Sequence, residues 1–120
     1  MLKRIDHIQL AAPEGGEEKA REFFGDILGM EEVGKPDSLR KNGGVWFSLG
    51  VQQLHIGIEE PFTPARKAHP AFEVDDLQEA VDTLEDRGVA VKKDDRLPGA
   101  ERCYIQDPFG NRIELLQWVD

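Results

Sequence analysis

Cysteine is almost missing from this chain. Cys103 stands alone among 120 residues, so no internal disulfide can form, and a reducing, cytoplasmic setting is the expectation. Cys103 lies in an apolar strand, where such a residue is either core filler or a reactive thiol. Long apolar runs are absent as well. Nothing approaches the length of a membrane span, and no leader-like apolar segment opens the chain, so a membrane partner is not expected. Positive charge is scarce: 15 Lys and Arg against 24 Asp and Glu give a formal charge of −9. That balance argues against a nucleic-acid partner and against anionic lipid surfaces. Histidine is scarcer still, at three residues, and the placement of those three carries most of the functional signal.

What is present is globular. The hydrophobic share is 39%, enough for a real core in one domain of this length. Arg102–Trp118 organises the reading. Two apolar runs flank Asp107-Pro108-Phe109-Gly110-Asn111; Pro presets one turn φ and Gly-Asn tolerates positive φ, so a hairpin is expected. On its return strand Ile113 and Leu115 face one way, while Arg112, Glu114 and Leu116 face the other. A carboxylate at mid-strand is costly to bury unless something positive meets it. That partner is either a metal ion or a neighbouring cation, Arg102 or Arg112.

Further elements follow from periodicity. A strand is expected within Leu2–Ala12, with Ile8 and Leu10 on one face and Ile5, His7 and Gln9 on the other. A helix follows, its buried stripe formed by Ala20, Phe23, Phe24, Ile27 and Leu28, ended by Gly29. Glu31–Val33 reads as a short strand and Lys35–Gly44 as a loop. Val45–Leu49 and Gln53–Ile58 form a second hairpin, with His55 on the polar side. Glu60–Ala68 is a linker. His69–Val74 is a strand, and Asp75–Arg87 a helix with the capping box Asp76-x-x-Glu79 and the stripe Leu77, Ala80, Val81, Leu84. Val89–Val91 is a further short strand and Lys92–Ala100 a polar loop.

The two halves therefore share one plan: strand, helix, short strand, loop, hairpin. His7 precedes His55 by 48 positions, and His69 precedes Glu114 by 45. Leu54-His55-Ile56 matches Ile113-Glu114-Leu115, and Trp46-Phe47 matches Tyr104-Ile105. The expected fold is α+β, one domain of two paired βαβββ modules, 1–60 and 68–120, whose mixed, curved sheets enclose a cavity.

Ile5-Asp6-His7-Ile8, Phe23–Gly29, His69–Asp76 and the ending Asp107-Pro108-Phe109-Gly110-Asn111-Arg112-Ile113-Glu114-Leu115 together resemble the vicinal oxygen chelate superfamily. That superfamily includes glyoxalase I, extradiol dioxygenases, fosfomycin-resistance thiol transferases and bleomycin-resistance proteins. The resemblance spans nearly the whole chain. It implies a glyoxalase-like fold with metal positions at His7, His55, His69 and Glu114. Such a donor set suits a divalent transition metal, Fe, Mn, Co, Ni or Zn, better than Ca or Mg. No organic cofactor is implied.

Glyoxalase I carries a carboxylate at the His55 position, so His55 is either a ligand or an acid–base group. Candidate catalytic residues are His55, Tyr104 and Glu73, with Glu59 a further candidate base; solvated-rim positions are the plainer reading for both glutamates. The implied activity is a lyase, isomerase or dioxygenase that chelates adjacent oxygens of a small substrate and stabilises an enolate-like or catecholate intermediate. The alternatives are a thiol transferase of antibiotic resistance and a non-catalytic drug binder, for which Trp46, Phe47 and Trp118 could line a pocket. A homodimer is implied by the resemblance alone.

Overall fold

The structure is a computed structural model and describes residues 1–119. The chain divides into two compact units, Met1–Thr63 and the segment from Pro64 onward. Each is a four-stranded mixed sheet backed by helix, so the fold is α+β, as expected.

In the first unit the elements are β1 (His7–Ala12), α1 (Glu17–Ala20), β2 (Glu31–Val33), α2 (Asp37–Arg40), β3 (Val45–Leu49) and β4 (Gln52–Ile58). The strand order is β1-β4-β3-β2. β1 runs parallel to β4, while the other two pairings are antiparallel. Strand alternation sorts the residues. Leu54, Ile56, Val45 and Phe47 turn one way and are buried with Ala20, Phe23 and Phe24 of the helix. Phe24 meets Phe23 edge-on at 5.0 Å and Phe47 at 5.9 Å between ring centres. The opposite face carries His7, Gln9, Gln53, His55, Trp46 and Ser48.

The first strand, His7–Ala12, falls within the stretch expected for it. Two expectations need correction in this unit. The Lys35–Gly44 loop contains the helical turn α2. The helix after Ala20 winds as a π-helix over Arg21–Ile27. Leu28 N–H donates to Phe23 C=O at 2.9 Å, five residues back. Wider winding throws the 3.6-residue stripe out of phase, so Phe23 and Phe24 stay buried while Ile27 and Leu28 are only half-buried. Where β3 begins, Gly44 has φ +90°, and a Cβ there would sit 2.2 Å from the Ile56 carbonyl oxygen. Only glycine fits.

The second unit repeats the plan: β5 (Ala71–Glu73), α3 (Leu77–Asp86), β6 (Lys92–Asp94), β7 (Ala100–Gln106) and β8 (Arg112–Trp118), in the order β5-β8-β7-β6. Asp76 caps α3, its carboxylate accepting from Glu79 N–H at 3.1 Å. Leu77, Val81 and Leu84 are buried, as are Phe72, Cys103, Ile105, Ile113 and Leu115 of the sheet. Cys103 is fully buried, and burial pushes its thiol pKa up; it is core filler rather than a reactive thiol.

The expected strand at Val89–Val91 is misplaced by three residues. Val89 N–H instead donates back to Leu84 C=O at 2.9 Å and closes the helix. Pairing starts at Lys92, opposite Tyr104, and reaches Asp94, opposite Arg102. The charge pair Asp94–Arg102 marks that strand, where an apolar pattern would point earlier. His69 precedes β5, yet Pro70 C=O still accepts from Glu114 N–H at 3.0 Å.

Candidate functional site

Each unit gathers half of the expected residues on the sheet face turned away from its helix. In the first unit β1 and β4 run side by side, with Gln9 opposite His55 and His7 opposite Gln53. Across the hairpin Trp46 is paired with His55. The three rings form a stack. Trp46 lies on His55 at 3.8 Å with an interplanar angle of 1°, and His7 covers the other side at 4.3 Å and 22°. His55 is 5% exposed. Burial lowers its pKa, and the neighbouring His7 lowers it further, so its imidazole is neutral near pH 7. Nε2 of His55 donates to Gln53 Oε1 at 2.9 Å, which leaves Nδ1 as the lone-pair nitrogen. His7 is exposed, and its Nδ1 lies 3.0 Å from Asp6 Oδ2. With Nδ1–H donating there, the lone pair of His7 is on Nε2.

In the second unit Glu114 is the centre, at mid-β8 and 6% exposed. Its Oε1 is 3.0 Å from His69 Nε2 and its Oε2 accepts from Arg102 Nη1 at 3.3 Å. Burial raises the Glu114 pKa, but the contacts with His69 and Arg102 more than reverse this, and the carboxyl stays below its usual range. His69 Nδ1 donates to Lys67 C=O at 2.8 Å. Tyr104, paired with Glu114 across the hairpin, meets His69 edge-on at 5.4 Å. Arg112 stacks over Tyr104 at 4.2 Å from the ring centre. Arg102 reaches on to Asp94 at 3.5 Å. Arg96, followed by Arg102, holds the Asp94 carboxyl well below the ordinary carboxylate range.

Thus His7 and His55 stand together in one unit, and His69, Glu114 and Tyr104 in the other. Glu73 shares the Glu114 face through the Ala71–Glu114 pairing but is exposed, as is Glu59. Of the two cations weighed as partners for Glu114, the structure selects Arg102; Arg112 goes to Tyr104 instead. Sequence reading missed Gln53 and Asp94. Alternation could have found Gln53, two residues before His55 on one strand face; Asp94 lies on an all-charged strand, and only the register that sets it opposite Arg102 reveals it.

Donor chemistry decides whether a metal ion suits these groups. The Nδ1–H bond to Lys67 leaves the Nε2 lone pair of a neutral His69 facing a carboxylate oxygen at 3.0 Å. Two acceptors placed so need a shared proton or a shared cation between them. Two ligands each about 2.1 Å from one ion, at a right angle, lie about 3 Å apart. In His7 the bond from Nδ1 to Asp6 likewise leaves the lone pair on Nε2. Imidazoles with one carboxylate therefore fit a divalent transition metal. Among the described residues no group of three or more His, Cys, Asp or Glu side chains is placed to hold an ion.

The model of the Glyoxalase/Bleomycin resistance protein/Dioxygenase superfamily matches residues 4–115. Among solved structures, a Bacillus anthracis protein assigned to the glyoxalase family is 48% identical with a TM-score of 0.96; the match covers 98% of this chain and 97% of that one. Lactoylglutathione lyase from Agrobacterium tumefaciens is 26% identical with a TM-score of 0.75, covering 97% and 94%. The fosfomycin resistance protein FosX from Listeria monocytogenes shares the fold at 20% identity, with a TM-score of 0.79 and coverage of 98% and 94%. No curated protein sequence matches this chain. No helix among the described residues is long and apolar enough to cross a membrane.

Proposed function

This chain belongs to the Glyoxalase/Bleomycin resistance protein/Dioxygenase superfamily, and we propose that it is a divalent-metal-dependent enzyme acting on a small substrate with adjacent oxygens. Superfamily members generally use divalent metal ions. The observation that carries the reading is His69 Nε2 set 3.0 Å from Glu114 Oε1, with its other nitrogen already bound to a backbone carbonyl. His7, His69 and Glu114 would hold the ion, with His55 as a fourth ligand or as an acid–base group. When bound, the ion supplies positive charge against negative charge developing on the substrate oxygens.

The chain's own groups do the rest. Lys67 C=O fixes the His69 tautomer and Asp6 fixes that of His7. Arg102 neutralises the second oxygen of Glu114, so one oxygen remains for His69 and whatever lies between them. His55, held neutral by burial and oriented by Gln53, can accept a proton through Nδ1. Tyr104 offers a phenolic O–H beside His69.

The test is metal analysis of tag-free protein, repeated on His7→Ala and Glu114→Ala. Wild type should retain a stoichiometric transition metal and both variants should lose it. Equal metal content in all three sinks the reading. An activity panel of hemithioacetals, catechols and fosfomycin with thiols then separates lyase, dioxygenase and thiol-transferase chemistry. A second reading, a non-catalytic binder of flat drug-like molecules, draws on the half-buried Trp46 stacked on His55. It predicts quenching of Trp46 fluorescence by such a ligand after chelator treatment. Superfamily members are typically oligomeric, and a homodimer is part of the proposal, checked by light scattering.

A further inference from the structure

The polar face of the second unit concentrates cations in a chain whose net charge is −9. Two of them are committed. Arg96 is bound to Asp94, and Arg102 bridges Asp94 and Glu114. Arg112 is different. It lies two residues before Glu114 on β8, so strand alternation puts both side chains on one face. It is half-buried, and among the described residues it forms no ion pair. Its guanidinium carbon sits 4.2 Å from the centre of the Tyr104 ring. That contact satisfies one flat face of the guanidinium and none of its N–H donors. Tyr104 in turn packs edge-on against His69. An arginine held flat, with its donor fork open, stands one ring away from the His69–Glu114 pair.

We propose that Arg112 is the anion-recognising residue of this site, and that the substrate carries a carboxylate or phosphonate next to its chelating oxygens. The inference rests on the metal reading above and names the substrate class for it. A planar fork matches the two oxygens of a carboxylate or phosphonate, which a lysine ammonium cannot do. Positive charge here also offsets the repulsion that Glu114 exerts on an incoming anion. Tyr104 holds the fork in place, so little side-chain freedom is lost on binding.

The experiment uses glycolate, a hydroxyl beside a carboxylate, and glycolamide, its neutral counterpart of equal size. Hydroxymethylphosphonate serves as the phosphonate arm. Each is titrated by NMR into the full-length protein, as purified and after chelation, for wild type, Arg112→Gln and Arg112→Lys. We expect Arg112→Gln to keep its metal content and melting temperature but bind the preferred anion at least tenfold more weakly, with glycolamide unaffected. Arg112→Lys should fall between. The stronger anion in wild type tells carboxylate from phosphonate. Equal anion affinity in wild type and Arg112→Gln overturns the inference, as does equal binding of glycolate and glycolamide by wild type. Should Arg112→Lys match Arg112→Gln while both fold, fork recognition still stands. Failure of the metal reading looks different: wild type holds no metal, yet Arg112→Gln still loses the anion.

Discussion

Replacing Asp107 with alanine removes the carboxylate that holds the β7–β8 turn together. Asp107 is 5% exposed. Its Oδ1 accepts from Phe109 N–H and Asn111 N–H, both at 2.9 Å, and its Oδ2 accepts from Asn111 Nδ2 at 2.7 Å. At about 1 kcal/mol net for each bond, the three contribute about 3 kcal/mol. Some of that is offset, because burial raises the Asp107 pKa in spite of the hydrogen bonds. The expected loss is about 2–3 kcal/mol, a large share of a typical domain's stability. With an m-value of about 2 kcal/mol/M, the urea midpoint should fall by about 1–1.5 M. Asp107→Asn keeps an oxygen for both backbone donors and sets an NH2 against Asn111 Nδ2, so it should cost only about 1 kcal/mol.

The pH dependence has a definite sign. The folded chain holds the Asp107 proton more tightly than the unfolded chain, whose value is near 3.8. This group's contribution is therefore full below that value and is lost as pH rises through the raised folded value. The gap between wild type and Asp107→Asn should therefore narrow as pH rises above 3.8 and through the raised folded value. An alanine variant within about 0.5 kcal/mol of wild type, or an asparagine variant worse than the alanine one, would refute the reasoning.

Phe24→Ala empties a fully buried position packed on Phe23 and Phe47 and should cost about 3–5 kcal/mol by denaturant titration. Gly44→Ala, with its new Cβ driven against the Ile56 carbonyl, should fail to fold or lose several times as much as Gly50→Ala; the latter has φ +61° but open space around it and should cost about 1 kcal/mol. Glu17 accepts from Gly44 N–H at 3.0 Å, and that bond holds its pKa below the usual 4.5. Its stabilising contribution is present above about that value and disappears as pH falls through the lowered folded value, so Glu17→Gln should flatten the acid limb of a stability–pH curve. On the metal reading, chelation should lower the wild-type melting temperature and leave Glu114→Ala unchanged, followed by calorimetry.

Strand placement was legible wherever side-chain alternation was strong. The spacings of 48 and 45 residues reflect a real repetition, since β1 pairs with β4 as β5 pairs with β8, and Trp46 meets His55 as Tyr104 meets Glu114. Alternation also put Glu114 on the face opposite Ile113. It failed at Lys92–Asp94, because an edge strand whose residues are all charged carries no apolar pattern to read. It failed differently after Ala20, where π winding changed the period midway along one helix. The tautomers of His7 and His69 depend on Asp6 and on a backbone carbonyl, and no residue pattern encodes the latter.

The pairing of the first strand with the last in each sheet has one further consequence. Because that pairing is parallel, the chain enters a unit at one end of the paired strands and leaves it at the other, while the sheet stays open at its two edge strands. A gene encoding one such unit could therefore double in tandem, each copy handing the chain on from the far end of its sheet, with no strand having to change its neighbour.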